Sequence, residues 1–263
     1  MSVRAISLGA GVQSTALVVL AAQREIDYRL AIFANVGANS ENPETLAYLD
    51  DHLKPYMKRH GIEFVEVWKD RDGEPDTVLD DFHRRKHSIG IPMRVMPDNA
   101  PLMRSCTHDF KIRPVGRELK RRGASRDNPA TVALGISIDE YQRMRTSPHD
   151  YQINDYPLIE ARMNRRDCEA VIVKAGLPVP GKSSCRFCPH MKRAEWLRMA
   201  TENPALFAEM VEMEREANRK VKGKLGGPVH LSSTGASLDR ITEQPLLLGF
   251  DDISCDIAGY CHS

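Results

Sequence analysis

The sequence predicts an α/β protein built on a doubly wound, mostly parallel sheet. Two observations predict it: strand-length apolar runs alternate with helix-length amphipathic ones, and the first strand passes through a glycine turn straight into a helix. Arg4 to Leu8 is the first apolar run, Gly9-Ala10-Gly11 the turn, and Gln13 to Gln23 has helical periodicity. Arg29 to Ala34 reads as a second strand and Glu63 to Trp68 as a third. Between them Pro43 to His60 reads as a helix opened by a proline, whose fixed φ suits a first helical turn. Asp70 to Pro101 is polar, charged and rich in turn residues, and is expected to be an irregular insertion or lid. Ile112 to Arg122 reads as a basic helix and Thr131 to Gly135 as a further strand ending at a glycine. From Pro157 the character changes to short helices, a proline-glycine stretch with two cysteines, a long helix from Arg193 to about Lys220, and a tail. The expected division is an α/β domain over 1–155 and a helical, cysteine-bearing region over 156–263.

At 263 residues the chain can bury a substantial core. Its 37 basic and 36 acidic residues nearly cancel, so no global field marks a nucleic-acid or membrane binder. The opening MSVRAISLGAG lacks the basic and long apolar regions of a signal peptide, and no run approaches the ~18 apolar residues of a membrane span. The expectation is a soluble, cytoplasmic protein with no membrane partner. Six cysteines in such a chain are read as ligands or nucleophiles, because the cytosol keeps thiols reduced.

A strand that runs into Ser7-Leu8-Gly9-Ala10-Gly11-Val12-Gln13-Ser14-Thr15 and then a helix presents backbone N–H groups and a positive dipole end to an anion. Glycines allow the backbone to approach a phosphate closely. The spacing is neither that of a Walker loop, since no Lys-Ser/Thr follows, nor GxGxxG. A tight turn without a ligand is the plain alternative. Basic residues crowd Lys111, Arg113, Arg117 and Lys120 to Arg122; the last three read as a solvated helix face.

Gly9 to Ser14 resembles the PP-loop of the adenine-nucleotide α-hydrolase-like enzymes, Ser-Gly-Gly-x-Asp-Ser, with Gln13 in place of the acid and Gly9 in place of the first serine. Asn35-Val36-Gly37 with Pro43-Glu44-Thr45 resembles the Asp-Thr-Gly…Pro-Glu-Thr stretch of phosphoadenosine phosphosulfate (PAPS) reductase-like proteins, with Asn35 for the aspartate. Gly135 to Glu140 with Arg143 and Arg145 resembles the segment that follows a sheet strand there, and the likeness runs on through Tyr156 to Glu160. The group most resembled is the phage- or island-borne PAPS reductase-like type, related to the PP-loop component of DNA phosphorothioation. The resemblance implies a Rossmann-like nucleotide-binding fold. It also implies that Ser7, Gly9, Ala10, Gly11, Gln13, Ser14, Thr15, Asn35, Lys111, Gly135, Arg143 and Arg145 bind ATP or a related adenine nucleotide with Mg²⁺.

Cys185-Arg186-Phe187-Cys188-Pro189 is a CxxC knuckle of the kind that offers two thiolates to one metal or cluster. Cys106 precedes Lys111-Ile112-Arg113-Pro114, as a cysteine precedes a Lys-Ile-x-Pro segment in the resembling enzymes. The resemblance therefore implies Cys106, Cys185 and Cys188 as ligands of a [4Fe-4S] cluster. Cys261 or Cys255 would be the fourth ligand, or a mobile sulfur carrier; zinc on the same residues, or unligated thiols, are the alternatives. Gly259-Tyr260-Cys261-His262 partly resembles the nucleophilic tail of the reductases, which gives Cys261, with Cys255 beside it, a catalytic reading. Cys168 is read as core, as are Trp196, Leu197, Met199, Leu206, Phe207 and Met210.

Three functions follow. The first is ATP-dependent adenylation of an acceptor followed by sulfur insertion. The second is a PAPS- or APS-type reductase with Cys261 as nucleophile, and the third a zinc-stabilised, non-catalytic nucleotide- or DNA-binding module. The sulfur acceptor, nucleic acid or small molecule, stays open, as do a sulfur-donor or thiol-reductant protein and a homodimer.

Overall fold

The inner strands of the central sheet send alternate side chains to opposite faces, and each face has its own apolar core. In β1 (Arg4–Leu8) Ile6 and Leu8 enter one core and Ala5 the other; in β2 (Leu30–Ala34) Ala31 and Phe33 enter the first, Leu30 and Ile32 the second. The computed structural model describes residues 2–241. Along the chain β3 (Glu63–Val67) is followed by the antiparallel pair β4 (Lys69–Arg71) and β5 (Glu74–Asp76), then by β6 (Arg94–Val95) and β7 (Ala100–Pro101). The remaining strands are β8 (Ala130–Ala133), β9 (Gln152–Asp155) and β10 (Val229–His230). The central sheet has the order β3-β2-β1-β8-β9, and all of its pairings are parallel. The α/β, doubly wound expectation holds: helices cover both faces of a parallel five-stranded sheet.

Helix α1 (Val12–Ala22) is buried on every side from Ser14 to Ala21. Such a helix needs cover on its outer side as well. That cover comes after a sequence of short helical pieces: α2 (Pro43–Tyr48), a π-turn (Leu49–Leu53) and α3 (Lys54–Arg59) on the same face, then α4 (Val78–Arg84), α5 (Ser105–Thr107) and α6 (Arg113–Arg121). After β9 come α7 (Pro157–Glu160) and α8 (Arg165–Lys174), and α8 packs Cys168 and Ile172 into the core that holds α1. The opposite core takes Leu119 of α6. Burial pushes the Cys168 thiol up to about 12, which fits its reading as a core residue.

The described residues fall into two units: those up to Thr77 with Asp109–Cys185, and Val78–His108 with those from Arg186 to Ile241. The expected boundary at 155/156 lies inside the first unit, because α8 completes the α1 core. The second unit holds the antiparallel sheet β10-β6-β7 and the helices α9 (Arg193–Glu202) and α10 (Pro204–Val221). Trp196 and Met210 are fully buried there, while Leu197, Met199, Leu206 and Phe207 are half-buried. Glu214 of α10 is buried and accepts the backbone N–H of Leu231 at 2.7 Å and of Leu238 at 3.0 Å. The stretch expected to be irregular, Asp70 to Pro101, instead contains the β4–β5 pair, α4 and β6; its strands are too short and too polar to alternate visibly. The helix expected over Pro43 to His60 is interrupted by the π-turn. Among the described residues no helix is long and apolar enough to cross a membrane.

Candidate phosphate-binding site

Strand order places the Gly9–Gly11 turn where connections leave the sheet in opposite directions. From β1 the chain goes to β2 on one side, while β8 flanks β1 on the other. In open parallel sheets the crevice at the carboxyl ends of such strands is where ligands bind. Gly135, two residues after β8, closes this crevice from the far side: a Cβ on it would lie 2.8 Å from Ser14 N and 3.1 Å from the Gln13 carbonyl carbon. Only glycine lets the two backbones approach so closely.

The loop itself is held by Ser14. Its hydroxyl donates to Gly11 O at 3.2 Å and accepts Gly9 N–H at 3.2 Å, tying together the two ends of the turn. Gly11 is the N-cap of α1 with an extended backbone, and no side chain caps the helix. The first turn of a helix has N–H groups without intrahelical acceptors, and these together with the dipole suit an anion. Ala10 adopts φ of +55°, in the left-handed region that favours glycine, and its side chain is buried. Gly9 is exposed, and Gly11 and Gln13 are half-buried, so the outer side of the turn is open.

Gln13 stands where the PP-loop has an acid. Its amide Nε2 donates to Ser137 Oγ at 3.5 Å and to Glu140 Oε2 at 3.4 Å; Glu140 Oε1 in turn accepts from buried Arg143 at 2.6 Å. Arg143 therefore backs the loop through Glu140. Arg145 is exposed and turned onto its own turn, donating to Gln142 O at 2.8 Å and Met144 O at 2.7 Å. Lys111 is half-buried in a π-turn (His108–Ile112) ahead of α6. Ser7 lies within β1 and Thr15 is buried in α1.

Asn35 caps the end of β2 with its side chain. Nδ2 donates to Glu66 Oε1 at 2.6 Å, and Oδ1 accepts Gly37 N–H at 2.7 Å. Gly37 has φ of +105°, and Asn42 caps α2 by accepting Glu44 N–H at 3.0 Å. A second chain segment crosses here: Glu41 pairs with Cys185 as an antiparallel bridge, Asn42 N–H donates to Ser184 O at 3.1 Å, and Tyr48 donates to Pro178 O at 2.9 Å. Glu41, Asn42 and Ser183, which were not selected from the sequence, join the site through contacts remote in sequence, while Ser137 lies in the Gly135–Glu140 segment the sequence already marked.

The cysteines behave differently. Cys106 follows the start of α5, where its N–H and the Ser105 hydroxyl both donate to Gly90 O. Cys185 lies on the bridge to Glu41, and Cys188 accepts Met191 N–H at 3.0 Å. All three are half-buried. Among the described residues no three His, Cys, Asp or Glu side chains converge closely enough to hold a metal ion. Cys185 belongs to the first unit and Cys106 and Cys188 to the second, and Cys255 and Cys261 lie outside the described residues. A cavity of about 220 Å³ lies elsewhere in the first unit, between the end of β3 and α6, lined by Glu66, Trp68, Asp70, Arg117 and Arg121.

No protein-family model matches the sequence, and neither does any curated protein. Solved structures similar to it include the following two. One is the phosphoadenylyl-sulfate (PAPS) reductase from Candida auris in its phosphate complex, 12% identical over 68% of this chain and 76% of that one, with a TM-score of 0.46. The other is the U34-tRNA thiolase NcsA from Methanococcus maripaludis with its [4Fe-4S] cluster, 14% identical over 91% of this chain and 80% of that one, with a TM-score of 0.43.

Proposed function

We propose that the protein is an enzyme that binds an adenine nucleotide by its phosphates on the Gly9–Ser14 loop and activates an acceptor for sulfur insertion by adenylating it. The observation that carries the nucleotide half is the position of the loop. It sits at the carboxyl end of β1 beside β8, with an α1 start that no side chain caps and a backbone approach at Gly135 that excludes a side chain. Backbone N–H groups fixed before the ligand arrives stabilise charge that develops on phosphate oxygens during transfer. The sulfur half rests on the resemblance of the loop, the Asn35–Thr45 stretch and the CxxC to sulfur-handling PP-loop enzymes. Mg²⁺ would accompany the nucleotide. Gln13 offers it no charge, and the carboxylate bonded to Gln13 is that of Glu140. The test is incubation with labelled ATP, sulfide as the sulfur donor that displaces AMP, and candidate nucleic-acid and small-molecule acceptors. Acceptor-dependent AMP and pyrophosphate are expected, and release of phosphate alone or of nothing would count against adenylation.

One observation favours a second reading, a sulfonucleotide reductase. A neutral amide at position 13, bonded to Ser137 and Glu140, suits a ligand that is bound and not split at its pyrophosphate. Competition between PAPS and ATP for the loop separates the two. Preference for PAPS with thiol-dependent sulfite release establishes the reductase; preference for ATP removes it.

A further inference from the structure

A hydroxyl from a distant segment stands over the same loop. A Cβ on Gly11 would lie 2.9 Å from Ser183 Oγ and 3.9 Å from Ser183 N, and a Cβ on Gly9 would lie 3.8 Å from that Oγ and 3.9 Å from Ser14 Oγ. Gly11 therefore keeps clear the side on which the Ser183 hydroxyl sits, while a Cβ on Gly9 would be in ordinary contact with it. Backbone bonds hold Ser183 in place through its neighbours: Ser184 O accepts Asn42 N–H at 3.1 Å, and Cys185 bridges to Glu41. Tyr48 fixes the start of the segment at Pro178. Ser183 is half-buried, so one side of it faces the loop and another faces solvent.

A serine hydroxyl rotates to meet its acceptor, and a bond to a charged phosphate oxygen is stronger than one between neutral groups. We propose that Ser183 is a ligand-binding residue of this site, its hydroxyl donating to a phosphate oxygen of the nucleotide held on Gly9–Ser14. The inference rests on the nucleotide-binding reading above. Its consequence is a link between two parts of the sequence: an occupied loop fastens the segment that runs into Cys185, and through it the Glu41–Asn42 turn that opens α2.

The test is equilibrium binding of ATP to the full chain and to Ser183→Ala, with amide hydrogen exchange measured on each. Ser183→Ala is expected to bind ATP about tenfold more weakly, the size of one lost bond to a charged group. Exchange of the Asn42 amide should slow several-fold on ATP addition in the unaltered protein and not in the variant. Equal affinity overturns the proposal, and tighter binding by the variant does so too, by making Ser183 an obstruction. Should the variant not fold, an Asn42 amide whose exchange ignores ATP in the unaltered protein overturns it alone. Failure of the unaltered protein to bind either ATP or PAPS removes the nucleotide reading itself and this inference with it, an outcome distinct from equal binding by the two proteins.

Discussion

One buried carboxylate from each unit, Glu118 and Glu214, shows the two units holding an acid in opposite ways. Glu118 on α6 of the first unit accepts from Arg121 at 2.7 Å and Arg122 at 2.6 Å, and these cations hold its carboxyl down to about 2. Glu214 on α10 of the second unit has two backbone N–H donors, yet burial outweighs them and pushes it up to about 7. The first unit is organised by charge pairs and by a glycine turn, the proposed anion site, on a sheet with two cores. The second is organised around helix packing, with polar groups serving the fold. The difference teaches where ligand chemistry is to be sought: in the first unit, where backbone donors are presented, and not at a conspicuous buried acid.

The largest expected effect tests the backbone approach. Gly135→Ala places a methyl 2.8 Å from Ser14 N, an atom that cannot swing aside. ATP affinity should fall roughly a hundredfold, about 2.7 kcal/mol, with about 1–3 kcal/mol lost in thermal unfolding. Titration calorimetry beside a melting curve measures both, and near-normal affinity would break the claim that this crevice is the site.

Next in size are the two acids, whose pH dependences run in opposite directions. Glu118 has a folded pKa below the unfolded value, so its contribution is present above about 4.5 and is lost as pH falls toward 2. Glu118→Gln should cost on the order of 2 kcal/mol at pH 7 and flatten the acid limb of the denaturant midpoint. Glu214 has a folded pKa above the unfolded one, so its contribution is full below about 4.5 and is lost as pH rises through about 7. Glu214→Ala strands two buried N–H groups, at a cost of about 1–3 kcal/mol at pH 5, and ATP affinity at the first unit's loop should not change.

The smallest effects concern the thiols. Cys168→Ala should lower stability by about 1 kcal/mol. Iodoacetamide should react with Cys168 far more slowly than with Cys185 or Cys188, since its thiol is held near 12 inside a core. Replacing Cys106, Cys185 and Cys188 together by Ser should leave ATP affinity within about twofold, since the bridge of Cys185 to Glu41 is made by backbone atoms and not by the thiol. Iron and zinc analysis of anaerobically purified protein, before and after that change, decides whether these thiols hold a metal.

The site was legible in the sequence where it is local. Leu8 to Thr15 carries strand, turn and helix start in one stretch, so apolar pattern and glycines located the loop and the sheet that bears it. Gly135 was marked by its place after a strand, but its tight approach to Ser14 depends on the pairing of β1 with β8. Ser183 and the Glu41–Cys185 bridge were invisible because nothing nearby in sequence selects them. The edge strand β9, Gln152–Asp155, was missed because its residues are polar and only Ile153 is apolar. The unit boundary was missed because α8 returns to cover α1, a decision made by packing and not by composition.

Ala10 has one more consequence. A residue with a Cβ held at φ of +55° costs the fold about 1–2 kcal/mol relative to its right-handed alternative, and the surrounding core keeps it there at 1% exposure. The turn is therefore a latch cocked during folding: its backbone is set by the core around Ala10, so a ligand of the proposed kind need not supply the work of setting it.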